Sequence, residues 1–102
     1  MSIRTALVGF GLGGRIFHAP FIAADPDLTV AAIVTGNPER AAQAQAEHPG
    51  AEIVPDLETL IARTGDLGLE LGVVSTPPTG HAEQATALLE AGLHVVVDKP
   101  LT

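Results

Sequence analysis

Five short apolar runs alternate with stretches of helical spacing, and that alternation restricts this chain to a narrow set of folds. The runs are Ile3–Val8, Leu28–Val34, residues 51–54, residues 69–75 and residues 93–97. They are short, rich in valine, isoleucine or leucine, and flanked by glycine, proline or asparagine, which marks them as buried strands. Helix signals lie between them. Residues 13–24 carry Ile16, Ala19 and Ala23 at helical spacing, with Pro20 expected to kink the helix or stop it early. Asn37-Pro38 reads as an N-cap with a first-turn proline, opening a helix to about Glu47. Pro55-Asp56 caps a brief helix that ends at Ile61 or Arg63. After the stiff turn Pro77-Pro78, Thr79 can cap a helix in which Ala82, Ala85, Leu88 and Leu89 share one face. Gly92 stops that helix at the left-handed C′ position.

Strands and helices alternating in this way mean βαβ units and a parallel sheet. Right-handed crossovers then give an α/β doubly wound sheet in the order 3-2-1-4-5. The ligand crevice of such a sheet opens where strands 1 and 4 diverge. Here it is lined by the segments after Val8, Ser75 and Val97.

Composition agrees with a sheet covered on both faces. Hydrophobic residues make up 46% of the 102 and charged residues 17%, enough apolar surface for one core and one domain over residues 1–102. The net charge of −7 lacks the basic footprint that nucleic acid or an anionic membrane requires. No apolar run approaches the roughly 18–20 residues that span a bilayer, and no signal peptide is visible ahead of the first strand. There is no cysteine, so no disulfide framework and no thiolate chemistry, and a reducing cytoplasm is the expected location. The four histidines show no metal-site spacing.

The first strand runs directly into Gly9-Phe10-Gly11-Leu12-Gly13-Gly14, a GxGxxG loop between a strand and a helix. In that setting Gly9 permits the tight turn, Gly11 lets the backbone approach a pyrophosphate, and Gly14 lets the helix pack on the sheet. Free N–H groups at the helix start attract the anion. Arg15 follows, either reaching a phosphate or remaining a solvated helix-start residue.

At the end of strand 2, NAD-binding folds commonly carry an acid for the ribose diol. This chain reads Val34-Thr35-Gly36-Asn37-Pro38-Glu39-Arg40, with no acid at Thr35 or Gly36. Thr35, Asn37 and Arg40 can donate to a 2′-phosphate, so NADP is preferred and NAD remains the other cofactor. Glu39 and the capping role of Asn37 argue the other way. Thr76 and Pro77 leave strand 4 at the crevice, bordering the nicotinamide or simply stiffening the turn. His81, in the first turn of the next helix, suits a neutral polar contact better than a permanent cation.

Lys99 is the only lysine and stands at the end of the last apolar strand, before Pro100. Together with the glycine loop, Thr76-Pro77 and His81, the run Asp98-Lys99-Pro100 resembles the amino-terminal half of the Gfo/Idh/MocA oxidoreductases, over essentially the whole chain. That resemblance implies a Rossmann domain of an NAD(P)-dependent enzyme acting on CH–OH groups. Asp98, where the family usually has glutamate, and Phe17-His18-Ala19-Pro20 resemble the branch with NADP-dependent scyllo-inositol dehydrogenases. By the same resemblance Lys99 is the catalytic-site lysine near the nicotinamide and the reacting oxygen, and the Lys99-Pro100 bond is expected to be cis. A lysine anchored in water at a strand end is the alternative. The family continues into a larger domain that supplies the substrate pocket and the homo-oligomer interface. The chain is therefore expected to stop short of a sixth strand and of that domain, binding cofactor without turnover.

Two other readings remain at this level. A non-catalytic dinucleotide-sensing module explains the glycine loop equally well. An S-adenosylmethionine methyltransferase shares the loop but leaves Lys99-Pro100 without a role.

Overall fold

The order of burial along Ile3–Val8 (β1) sets the frame of the sheet, because its last four residues are all buried. The computed structural model describes residues 3–9, 19–75 and 81–97, without the side chains of residues 19–21 and 81. After β1 come α1 (Ala19–Ala24), β2 (Leu28–Val34), α2 (Pro38–Glu47), β3 (Glu52–Val54), α3 (Leu57–Ala62) and α4 (Thr64–Leu67). Then follow β4 (Leu71–Val74), α5 (His81–Glu90) and β5 (His94–Val97). The five strands form one sheet in the order β3-β2-β1-β4-β5, with every pair parallel. This is the doubly wound architecture that the alternation predicts.

Alternating side chains divide the core in two. On one face Ala6, Val8, Ala32, Val34, Val54 and Val74 meet Leu60 of α3 and Leu88 of α5. On the other, Leu7, Ile33 and Val73 meet Ile22 of α1 and Ala44 of α2. Right-handed crossovers put helices on opposite faces when strand order reverses, and the reversal falls between β1 and β4.

Local signals place the helix ends. Asn37 Oδ1 accepts from the Glu39 and Arg40 N–H groups at 2.9 and 3.2 Å, with Pro38 at the first helical position. Asp56 Oδ1 accepts from Thr59 N–H at 2.7 Å, and hydrogen bonding from the Thr59 side chain, with that from its N–H, holds the Asp56 carboxyl below its ordinary value. Gly92, at φ 93°, closes α5: its N–H reaches Leu89 O at 3.0 Å, while Leu93 N–H reaches Leu88 O at 3.1 Å. That is a Schellman cap with its apolar contact between Leu88 and Leu93.

The structure corrects three expectations. Strand 3 starts at Glu52 and strand 4 at Leu71, later than read, although Glu70 and Ser75 N–H groups still extend the bonding to β1. Helix α1 spans Ala19–Ala24 with Pro20 in its first turn, where proline is tolerated, and the stretch in which a kink or stop was expected lies outside the described residues. Helix α4 was not expected. It is a single turn closed by Gly68 at φ 64°, with the Thr64 hydroxyl donating to Ile61 O at 2.9 Å. Leu89 is 59% exposed and Ala82 is exposed, so neither joins Leu88 on the inward face of α5. Consecutive helical residues are about 100° apart, and Leu88 takes the direction of the sheet.

Gly72 explains why α5 sits so close. A Cβ there would lie 3.0 Å from Leu88 Cδ1, and Leu88 is fully buried.

Candidate functional site

Three residues stand one step beyond their strands at the carboxyl edge of the sheet. Thr35 N–H donates to Val54 O at 3.0 Å, Gly9 N–H to Val34 O at 2.9 Å, and Ser75 N–H to Val8 O at 2.9 Å. Each bond carries the parallel ladder one residue further, so the row across the edge reads Thr35, Gly9, Ser75. Neighbouring strands are about 4.8 Å apart, which puts Thr35 and Ser75 roughly 10 Å from each other with Gly9 between them. The row crosses the β1/β4 reversal, where open sheets of this kind bind ligands.

Gly9 has φ 101°, a conformation that residues with a Cβ rarely adopt. It turns the chain sharply off β1 into the glycine loop. The remaining loop residues read as cofactor-binding, Phe10, Gly11, Leu12, Gly13 and Gly14, lie outside the described residues. Thr76, Pro77 and Lys99 do as well, together with the expected Lys99-Pro100 bond. His81 is the first residue of α5, and only its backbone is described.

The β2 side of the row is fully visible. Thr35 is half-buried, and its Oγ accepts from Asn37 N–H at 3.3 Å, leaving the hydroxyl proton free to donate outward. The Asn37 side-chain oxygen is consumed by the cap, so only its amide group remains for a ligand. Arg40 is exposed in the first turn of α2 and forms no ion pair with a described residue. Thr35, Asn37 and Arg40 thus gather at one corner, and the first acid beyond β2 is Glu39. The donor set suits an anionic or hydroxyl-rich group.

Ser75 is the residue that sequence reading left as a strand end. Its Oγ is shielded from solvent and has no hydrogen-bond partner. A buried hydroxyl left unpaired costs about 1–3 kcal/mol, so folds seldom retain one without use. The available signal was a hydroxyl directly after Leu-Gly-Val-Val, on the strand where the sheet order reverses. The positive φ of Gly9 and the orphaned Ser75 hydroxyl, side by side, fit a dinucleotide whose phosphates lie across this edge. Elsewhere, His94 is exposed at the start of β5 and His48 ends α2, as surface and strand-end residues. Among the described residues no cluster of three or more His, Asp or Glu could hold a metal, and no helix is long and apolar enough to cross a membrane.

Known proteins are similar to this chain in sequence and fold. The scyllo-inositol 2-dehydrogenase (NADP(+)) IolW of Bacillus subtilis is 35% identical over 101 residues, covering 99% of this chain and 26% of that protein. The 3-ketoreductase KijD10 of Actinomadura kijaniata, solved with NADP and TDP-benzene, matches with a TM-score of 0.87 at 30% identity, over 100% of this chain and 30% of that one. The apo scyllo-inositol dehydrogenase of Lactobacillus casei matches with a TM-score of 0.86 at 27% identity, over 97% of this chain and 28% of that one. The chain therefore spans 26% to 30% of the length of these relatives. A family model described as "Oxidoreductase family, NAD-binding Rossmann fold" covers residues 3–102, and with the strand order and the Gly9 turn it makes this chain an NAD(P)-binding domain of the Gfo/Idh/MocA oxidoreductases.

Proposed function

We propose that this chain is the cofactor-binding part of an oxidoreductase that moves a hydride between NADP and a hydroxyl or carbonyl of a sugar or polyol, inositol-like in character. The observation that carries the reading is the Gly9 turn at the β1/β4 reversal, flanked by hydroxyls of Thr35 and Ser75. The names of the B. subtilis and L. casei relatives support the polyol class, and both IolW's name and the NADP in the KijD10 structure support the cofactor.

The bound nicotinamide would supply the hydride acceptor or donor. The rest falls to this chain's residues. Backbone N–H groups of the loop beyond Gly9, residues 10–14, hold the phosphate bridge. Thr35, the amide of Asn37 and the Arg40 guanidinium hold the 2′-phosphate, which a carboxylate at position 35 or 36 would repel. Thr76, Pro77 and His81 border the nicotinamide half. Lys99 hydrogen-bonds the reacting oxygen and helps to move its proton, favoured by a neighbouring cationic ring that destabilises the ammonium. The substrate pocket and subunit interface belong to a further domain in the whole protein.

Fluorescence titration of the chain with both cofactors tests the cofactor assignment. NADP should bind more tightly, and tighter NAD binding would overturn it. In the whole protein, Lys99→Ala should remove most turnover of polyols while the NADP dissociation constant stays within about threefold. Unchanged turnover would take Lys99 out of the site.

A further inference from the structure

The amino edge of the sheet holds an open cavity of about 340 Å³, between β2 and the loop that joins α2 to β3. It lies at the other end of β2 from Thr35, roughly 20 Å away by the rise of the strand. The cavity exists because β3 is short. That strand pairs only with residues 32–34 of β2, so residues 28–30 run past it with no strand beside them on that side. Leu28, Val30 and Ala51 supply an apolar lining that continues into the core face beneath α1 and α2. Glu47 and His48, at the end of α2, line the cavity as well.

Backbone donors around this cavity are largely spent. Leu28 N–H donates to Asp25 O at 3.1 Å, His48 N–H to Ala44 O at 2.8 Å and Ala51 N–H to His48 O at 3.0 Å. Pro49 has no N–H to offer. Acceptors are in surplus. The carbonyls of the last turn of α2 carry the negative end of the helix dipole, Glu47 ends that turn, and no basic residue stands in it. The turn leading into Leu28 adds Asp25 and Asp27, and the net charge of −7 extends the same sign. Anions are repelled here. An ammonium brings three donors and a positive charge to these acceptors, while an alkyl tail on it covers the apolar lining. We propose that this cavity is a small-molecule site for an alkylammonium, with the Glu47 carboxylate as its counter-charge. It stands apart from the cofactor reading, because it shares no residue with the carboxyl edge of the sheet.

Amide chemical shifts of the chain, followed during titration with butylammonium chloride in mildly alkaline buffer, test the proposal. Saturable shifts should centre on residues 28–30 and 47–51, and butanol and sodium butyrate should produce none there. Glu47→Gln keeps the shape of the side chain and should raise the butylammonium dissociation constant roughly fivefold, the weight of one partly exposed charge pair. A Cβ at Gly50 would meet no atom within 4 Å, so Gly50→Leu keeps the fold and takes up space at the cavity. That variant should lose the saturable shifts. Equal binding of butanol would reduce the site to an apolar cleft and overturn the cation assignment. Displacement of butylammonium from the same amides by calcium chloride would make it a metal site and overturn the proposal too. So would shifts centred elsewhere, an affinity that Glu47→Gln leaves unchanged, or parental binding by Gly50→Leu.

Discussion

At the scale of single residues, Gly72 has the clearest packing role. It lies in the middle of β4, and its missing side chain makes room for Leu88. A Cβ would approach Leu88 Cδ1 to 3.0 Å and Cδ2 to 3.4 Å, and Leu88 is enclosed on all sides. Gly72→Ala should therefore destabilise the chain by about 1–3 kcal/mol, the usual range for overpacking. Chemical denaturation checks this, and Leu88→Val in the same chain should recover part of the loss. An additive pair would show that the two side chains do not compete for space. Neither this contact nor the missing partner of the Ser75 hydroxyl was legible in the sequence, although the position of Ser75 at the end of its strand was. Both depend on which residue of another element comes to face them, and no local pattern records that. Gly9, by contrast, was legible, because a glycine that directly ends a strand and opens GxGxxG has a local reason to be there.

At the scale of elements, capping residues were the most readable part of the chain. Asn37-Pro38 and Asp56 fix the starts of α2 and α3 by bonds that reach only two or three residues along the chain. The turn α4 escaped notice because Thr64-Gly65-Asp66 is a poor helix sequence, held by its link to the end of α3. Helix α5 was found, but Leu89 was assigned to the wrong side, since adjacent leucines do not reveal which one the sheet will take. The Asp56 cap has a pH signature. Its carboxyl is held below the ordinary value of 3.8 by the bonds to Thr59, so ionised Asp56 favours the folded state. Its contribution is complete above that ordinary value and is lost as the pH falls through the lower folded value. Thermal melts at about pH 6 and about pH 3 should show a smaller drop for Asp56→Asn, which keeps a capping oxygen without the titration. Equal drops would remove Asp56 from the acid sensitivity of the fold.

At the scale of the molecule, the strand order was legible because buried parallel strands announce themselves as continuous apolar runs and right-handed connections leave few arrangements. The two edges of the described sheet are unlike. On β3, Glu52 is engaged by Arg63 at 2.7 Å and Pro55 follows directly, both features that discourage further pairing. On β5, residues 94–97 carry no acid, arginine, lysine or proline, and Val96 is 52% exposed. Self-association of this chain through β5 is the expected result, opposed by the net charge of −7 and so promoted by salt. Sedimentation at rising concentration and ionic strength checks it. Val96→Lys should keep the chain monomeric under conditions where the parent associates.

The close fit of Gly72 under Leu88 also fixes the seat of α5. Leu88 lies seven residues from His81, the first residue of the helix, a run of about 10 Å along its axis. The contact is inside the core, on the buried side of the helix. A few tenths of an ångström gained at that contact would lift α5 from the sheet, so Gly72 sets how closely the helix lies on β4.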